Sequence, residues 1–123
     1  SALFKLSNLY SGFPGIIHGG IQATIIDEIG FWAMFKKVKT MGFTTALNIE
    51  YFNKLEIDKE LKVISRNITI NEDETEVTVE ILDGPKLCTL GKLKYKLIKD
   101  TVIKRYFGDS FYRSFIEIKK KYD

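Results

Sequence analysis

The chain has 123 residues, of which 45% are hydrophobic and 28% charged, and these values fit one globular domain with a single core. The net charge is only +3 and the basic residues are spread along the sequence, which argues against a nucleic-acid-binding protein. One cysteine rules out an internal disulfide and favours a reducing compartment, the cytoplasm, and one histidine is too few for a usual zinc site.

The first predicted element is a short strand at residues 2–10, followed by a loop at 11–15. Glycine and proline punctuate that loop, and they also interrupt the charge-free stretch at 6–26. The stretch therefore predicts neither a signal peptide nor a transmembrane span, and we expect no membrane partner.

A long helix is predicted from His18 to Lys39. Apolar residues cover nearly every side of it, a pattern typical of a helix buried inside a protein. Lys36, Lys37 and Lys39 suit the negative end of the helix dipole, and Gly42 is the expected C-terminal cap.

The segment from Phe43 to Lys99 predicts strands, and Asp109 to Lys121 predicts a closing amphipathic helix. Apolar and charged residues alternate cleanly in 92–97, so one face of that strand should meet the core and the other water. Short turns imply antiparallel neighbours. The three clearest runs are 61–70, 76–82 and 87–99, and the turns between them are 71–74 and 83–85.

Together the elements indicate an α+β fold, with an antiparallel sheet of about five strands around one long central helix, plus a C-terminal helix. We expect a single domain over residues 1–123, with 108–123 as a C-terminal helical extension. One sheet covers only one side of a helix about 30 Å long, so a second copy of the chain is expected on the other side.

Two adjacent carboxylates, Asp27 and Glu28, interrupt the apolar helix. Asp27 is interpreted as a general base that activates water, and the alternative is a structural carboxylate in an ion pair. Glu28 lies about 100° further round the helix, so the two acids cannot share one pocket and one of them should be structural.

The helix opens with His18, Gly19 and Gly20. Glycines at a helix start leave backbone N–H groups bare, and such groups can form an oxyanion hole. The alternative is tight packing at a crowded helix start. His18 is interpreted as a capping or positioning residue, since no serine or cysteine accompanies it in a nucleophilic triad.

The spacing of Gly19 and Asp27 has a consequence for assembly. Eight positions correspond to about 12 Å along a helix, whereas a base and an oxyanion donor must both lie near one reacting centre. Two helices related by a twofold axis could pair Asp27 of one chain with Gly19 of the other. The chemistry therefore predicts at least a dimer.

These residues resemble the hotdog-fold acyl-CoA thioesterases, in the branch that includes the phenylacetate-pathway type and the mammalian thioesterase-superfamily members. The resemblance is carried by Gly12–Gly20, then Asp27, and by the strand at 44–52. It covers roughly residues 6–99 and leaves out the final helix. Some family members carry an asparagine where this chain has Gly12, which is a departure from the pattern.

The resemblance implies catalytic roles for three residues: Asp27 as the general base, Gly19 as the backbone donor to the thioester carbonyl, and His18 as a positioning residue. A hydroxyl that orients water falls near Thr44, with Thr45 one place away. The expected substrate contacts are Gly20, Thr44, Thr45 and Phe13. Phe13, Phe31, Trp32 and Phe35 could line an acyl pocket, and the alternative, favoured for most of them, is that they fill the core.

The function implied by the resemblance is hydrolysis of an acyl-CoA by direct attack of water, at a dimer interface. No metal or cofactor is expected, because coenzyme A is part of the substrate. The expected assembly is a homodimer at minimum, with a tetramer left open. Two alternatives remain: a hotdog acyl-CoA dehydratase or hydratase, and a non-catalytic acyl-CoA-binding regulatory domain.

Overall fold

The computed structural model describes residues 2–5, 12 and 15–121, and the predicted contact residue Phe13 lies outside this part. In chain order the elements are β1 (Ala2–Phe4), α1 (Gly19–Val38), β2 (Gly42–Tyr51), β3 (Leu61–Asn71), β4 (Glu74–Asp83), β5 (Lys86–Leu97) and α2 (Asp100–Lys121). The five strands form one sheet in the order β1-β3-β4-β5-β2, with every pairing antiparallel. Of the strand predicted at 2–10, only Ala2–Phe4 is seen, and residues 6–11 are outside the described part.

The core lies between one face of the sheet and α1. Alternate residues of β3, β4 and β5 point toward the helix, as the period of two in a strand requires. Ile26 and Met34 of α1 meet them and are fully buried. Each such side chain contributes about 1.5–3 kcal/mol by leaving water. The strand residues in this core include Leu61, Val63, Val77, Val79, Ile81, Leu93 and Tyr95.

Two glycines set how closely α1 approaches the sheet. A Cβ atom on Gly30 would lie 2.7 Å from the Tyr95 hydroxyl, and one on Gly91 would lie 2.5 Å from Ile26 Cγ2. Neither position has room for a methyl group without movement of a buried neighbour. The missing side chains therefore allow the helix to lie directly on β5.

The ends of α1 differ in part from the prediction. His18 is the N-cap residue, and the helix ends at Val38 with Lys39 in the left-handed conformation, φ 59° and ψ 31°. The prediction that Gly42 caps the helix is therefore wrong, and Gly42 is the first residue of β2. The expectation that α1 is buried on every side is also wrong within one chain, since Thr24, Glu28 and Trp32 are exposed.

The last strand of the sheet, β2, is exposed along nearly its whole length. Within residues 2–5, 12 and 15–121 it is an edge strand, paired with β5 alone. Leu47 and Tyr51 lie on the helix side of the sheet yet keep 40% and 53% of their surface in solvent. One side of this strand and the open side of α1 therefore form a continuous uncovered region.

The C-terminal helix α2 folds back on itself at Gly108. That residue has φ 86° and ψ 168°, which breaks the helix into segments 100–107 and 109–121. The Lys119 ammonium lies 3.1 Å from the Asp100 carboxylate, whereas a straight helix would separate these residues by about 28 Å. Ile103 and Phe115, one from each segment, are buried together against Phe35 of α1. The second segment matches the helix predicted from Asp109, but the first segment was not predicted.

No helix in the described part of the chain is long and apolar enough to cross a membrane.

Candidate active site

The start of α1 is organised by His18. Its Nδ1 accepts a hydrogen bond from the Gly20 backbone N–H at 2.9 Å, as an N-cap side chain does. The ring proton must then lie on Nε2. His18 thus satisfies one of the unpaired donors of the first turn and leaves the Gly20 N–H unavailable to a ligand.

Gly19 lies in the same turn, and within the described residues its backbone N–H has no acceptor. The positive end of the helix dipole coincides with this donor. Tyr51 of β2 donates its hydroxyl proton to the Gly19 carbonyl at 2.9 Å and so fixes the peptide from the other side. An open groove of about 430 Å³ runs past Gly19, Tyr51 and Lys54. This end of α1 can therefore present an N–H group to an oxyanion.

Asp27 lies two turns further along α1, half-buried, and faces β2. The Thr44 hydroxyl donates a hydrogen bond to its Oδ1 atom at 3.0 Å. Since only one carboxylate oxygen accepts this bond, the other can accept a proton from water. The structure thus brings together two of the predicted site residues, Asp27 and Thr44.

Thr45 does not join this pair. The pairing of β2 with β5 shifts between Thr44 and Ala46, so Thr45 is the extra residue of a β-bulge, and its hydroxyl donates to the Lys94 carbonyl at 3.2 Å. The bulge inverts the side-chain alternation at this end of β2. As a result Thr44, rather than Phe43 or Thr45, points toward α1.

Tyr95 packs against the turn of α1 that carries Asp27, and no local sequence pattern predicts this contact. Its fully buried hydroxyl donates to the Asp27 backbone carbonyl at 3.3 Å. Burial, and then the nearby Asp27 charge, raise the pKa of Tyr95 well above its usual value, so the hydroxyl keeps its proton. Tyr95 therefore acts as a neutral support for this turn of the helix.

Glu28 faces a different neighbour from Asp27, as expected from its angle on the helix. The Trp32 Nε1–H donates to the Glu28 carboxylate at 3.0 Å, one turn away on the exposed side. Glu28 thus holds an aromatic side chain, whereas Asp27 holds a hydroxyl.

A second buried pair fixes the start of α1 against β5. The Thr89 hydroxyl donates to Gln22 Oε1 at 2.6 Å, and Gln22 Nε2 donates to the Ile17 carbonyl at 3.2 Å. This pair could not be predicted from the sequence, because a glutamine in an apolar helix gives no indication of its hydrogen-bond partners. Gly19 and Asp27 are therefore rigidly placed, about 12 Å apart along α1.

Comparison with protein families identifies the chain. The model of the thioesterase superfamily matches residues 14–89, more than half of the sequence, so the chain belongs to that superfamily. No curated protein matches it.

Solved structures give the same fold. Zebrafish thioesterase superfamily member 2 is 22% identical, with a TM-score of 0.72 over 79% of this chain and 72% of that one. A hypothetical thioesterase from Streptococcus pneumoniae, solved with coenzyme A, is 18% identical, with a TM-score of 0.71 over 77% of each chain. A Bacillus halodurans protein, also solved with coenzyme A, is 16% identical, with a TM-score of 0.69 over 78% of this chain and 65% of that one. At these identities the likeness shows the fold, and the predicted hotdog fold is confirmed.

Proposed function

We propose that the protein is an acyl-CoA thioesterase in which Asp27 activates the attacking water. The observation that supports this most strongly is the half-buried Asp27 carboxylate, held at one oxygen by Thr44. Membership of the thioesterase superfamily supports the reaction class. The two similar proteins solved with coenzyme A support a coenzyme A ester as substrate.

In the proposed reaction Asp27 takes a proton from water as the oxygen attacks the thioester carbonyl carbon. The Gly19 N–H stabilises the negative charge that develops on the carbonyl oxygen. The carbon–sulfur bond then breaks, and Asp27 returns its proton to the departing thiolate. The products are a carboxylic acid and free coenzyme A, so the reaction needs no metal or further cofactor.

The complete site requires two copies of the chain. Gly19 and Asp27 of one chain are too far apart to reach one carbonyl group, but two antiparallel α1 helices would place Asp27 of one chain beside Gly19 of the other. The uncovered side of β2, with Leu47 and Tyr51, supplies apolar surface for this contact. The proposed assembly is a homodimer at minimum, and a tetramer is open.

Lys54 lies on the groove that passes Gly19, and the chain is basic overall. A cation there suits the phosphates of coenzyme A.

The chain's one thiol, Cys88, is buried in the core, and we assign the protein to the cytoplasm on the basis of its lone cysteine.

The test is a panel of acetyl-, octanoyl-, phenylacetyl- and an enoyl-CoA. The measurements are release of free thiol and hydration of the enoyl-CoA, and Asp27→Asn is the control. Turnover by the wild type that Asp27→Asn loses would support the proposal. Hydration of an enoyl-CoA without thiol release would favour the hydratase alternative. Tight binding of the esters without turnover would favour a regulatory domain.

The two-chain site has a separate test. Asp27→Asn and Gly19→Val homodimers should each be nearly inactive, but each keeps the half-site that the other lacks. If the site spans two chains, random re-pairing of equal amounts restores about one quarter of wild-type activity, since half the dimers are mixed and one of their two sites is intact. A mixture that remains as inactive as its components would overturn the shared site.

A further inference from the structure

We propose that the acyl group of the substrate binds in an apolar cavity between α1 and α2, an assignment that rests on the proposed thioesterase function. This cavity, which we name the aromatic cavity, measures about 230 Å³ and its surface is apolar throughout. Its walls include Phe31, Trp32, Phe35 and Met41 on one side, and Phe111 and Phe115 of α2 on the other.

The aromatic cavity lies close to the proposed reacting centre. Both α1, which carries Asp27, and the segment leading into β2, which carries Thr44, contribute residues to its wall. Phe31 follows Asp27 by four residues on α1, which is one turn, or about 6 Å along the same face. Met41 precedes Thr44 by three residues, about 10 Å along the chain that leads into β2. A thioester carbonyl beside Asp27 and Thr44 would therefore have the cavity within reach of its acyl chain.

The size of the cavity indicates the class of acyl group. An apolar protein cavity of about 150 Å³ holds a benzene ring. The aromatic cavity, at about 230 Å³, has room for such a ring with a short linker, or for a medium-length alkyl chain. An acetyl group would leave most of the cavity unfilled, and a long fatty chain would extend beyond it.

Two interactions hold the walls in place. Glu28 accepts a hydrogen bond from Trp32 and so fixes the indole that forms one wall. The ion pair between Lys119 and Asp100 holds the second segment of α2 folded back over Phe35. We therefore assign Glu28 as a positioning residue for the acyl site. Because α2 lies beyond residues 14–89, this wall is built outside the part that matches the superfamily model.

The first experiment fills the cavity from the side of α2. Ser114 lines the cavity and is exposed, so Ser114→Leu adds volume without removing a core contact. Each methylene that leaves water for an apolar site is worth about fourfold in binding. We expect Ser114→Leu to lower kcat/KM for octanoyl-CoA at least about tenfold, with acetyl-CoA hardly changed, since two or more methylenes lose their place. The matched control is Tyr106→Ala, on the same helix at a side chain that is 72% exposed.

The second experiment does not depend on hydrolysis. Trp32 is the only tryptophan of the chain, so its fluorescence reports directly on the aromatic cavity. The probes are two stable thioethers, S-octyl-CoA and S-methyl-CoA. We expect S-octyl-CoA to shift the emission to shorter wavelength, S-methyl-CoA to leave it unchanged, and Ser114→Leu to abolish the shift.

The outcomes separate the two proposals. A protein that hydrolyses no acyl-CoA but shows the Trp32 shift would support the cavity and overturn the reaction. Two results would overturn the assignment of the cavity even if the protein hydrolyses acyl-CoA. One is an equal loss of kcat/KM for octanoyl- and acetyl-CoA in Ser114→Leu, and the other is the same Trp32 emission with both thioethers. If Ser114→Leu changes the oligomeric state in light scattering and leaves chain-length preference unaltered, the cavity is covered by a second copy and the assignment is wrong.

Discussion

The two sides of α1 differ in how completely one chain covers them. The sheet side carries Ile26, Gly30 and Met34, all buried, and packs against β5 with no room for another atom at the glycine. The other side carries Glu28 and Trp32, which are exposed, and Asp27 lies half-buried at the border. The complete covering of the sheet side stabilises the fold, because burial of apolar area is the dominant favourable contribution to the free energy of folding.

The open side is what the proposed reaction requires, because its substrate must reach Asp27. Substitutions on the open side should therefore change the rate at nearly constant free energy of unfolding. Substitutions on the sheet side should do the reverse. Two substitutions on each side of α1 test this division.

Asp27→Asn should lower the rate of thioester hydrolysis by about 10²–10⁴-fold, the usual contribution of a general base. The amide has the size of the carboxylate and can still accept from Thr44, so thermal unfolding should stay close to the wild type. The matched control is Glu28→Gln, measured on acetyl-CoA, which does not depend on the Trp32 wall of the aromatic cavity. The glutamine amide oxygen can still accept the hydrogen bond from Trp32. If Glu28→Gln removes the activity and Asp27→Asn is mild, the general base has been assigned to the wrong acid.

Gly19→Val should lower the rate by roughly 10²-fold or more, as the loss of one oxyanion donor does. A side chain there would contact the Tyr51 hydroxyl, since even its Cβ lies 3.2 Å from that oxygen, and would obstruct the groove. Turnover and thermal unfolding should be measured on one sample, beside Thr24→Val as a β-branched control on the same helix. A lowered melting temperature with full activity per folded molecule would make Gly19 a packing residue only.

Gly30→Ala should reduce the free energy of unfolding by about 1–3 kcal/mol, as overpacking of a core usually does. The added methyl group meets both the Tyr95 hydroxyl and the Leu93 side chain. Chemical denaturation measures the change, and activity per folded molecule should hardly move. Combination with Tyr95→Phe removes one of the two clashes and should recover part of the lost free energy of unfolding. If the double variant instead loses the sum of the two single losses, the clash with the Tyr95 hydroxyl is not the cause.

Tyr95→Phe should cost about 0.5–1.5 kcal/mol near pH 8, because it removes one buried hydrogen bond. The pKa of Tyr95 is raised in the folded state, so above pH of about 10 the unfolded chain loses this proton more readily and wild-type stability falls. Phenylalanine has no proton to lose there. The difference between the two proteins should therefore shrink as pH rises from 9 to 11, and a constant difference would show that Tyr95 ionises equally in both states.

Much of the fold follows from local sequence patterns. The antiparallel β3, β4 and β5 are predicted by alternation and by turn residues that lie next to one another in the chain. The helix α1 is predicted by its length and apolar content. Its C-cap is missed because Lys39 adopts a conformation that glycine usually takes, and this residue type gives no signal for it.

The candidate site, like the fold, is predictable from local sequence patterns only in part. Gly19 and Asp27 stand out locally, one at a helix start and the other inside an apolar run. Tyr95 and Tyr51 do not, because their contacts with α1 join residues 68 and 32 positions apart. The bulge at Thr45 depends on Lys94, 49 positions away, so sequence alone could not decide which threonine faces Asp27.

The edge strand β2 also has a consequence for solubility. Unpaired backbone N–H and C=O groups on an edge invite other chains to pair with them, and natural proteins usually deter this with lysine, proline or a covering segment. From Gly42 to Tyr51 the strand has neither lysine nor proline, and the bulge at Thr45, near one end, leaves residues 46–51 regular. A single chain is thus exposed to indiscriminate strand addition. Changes on β2 should consequently appear first as aggregation during expression, before any defect in a purified sample.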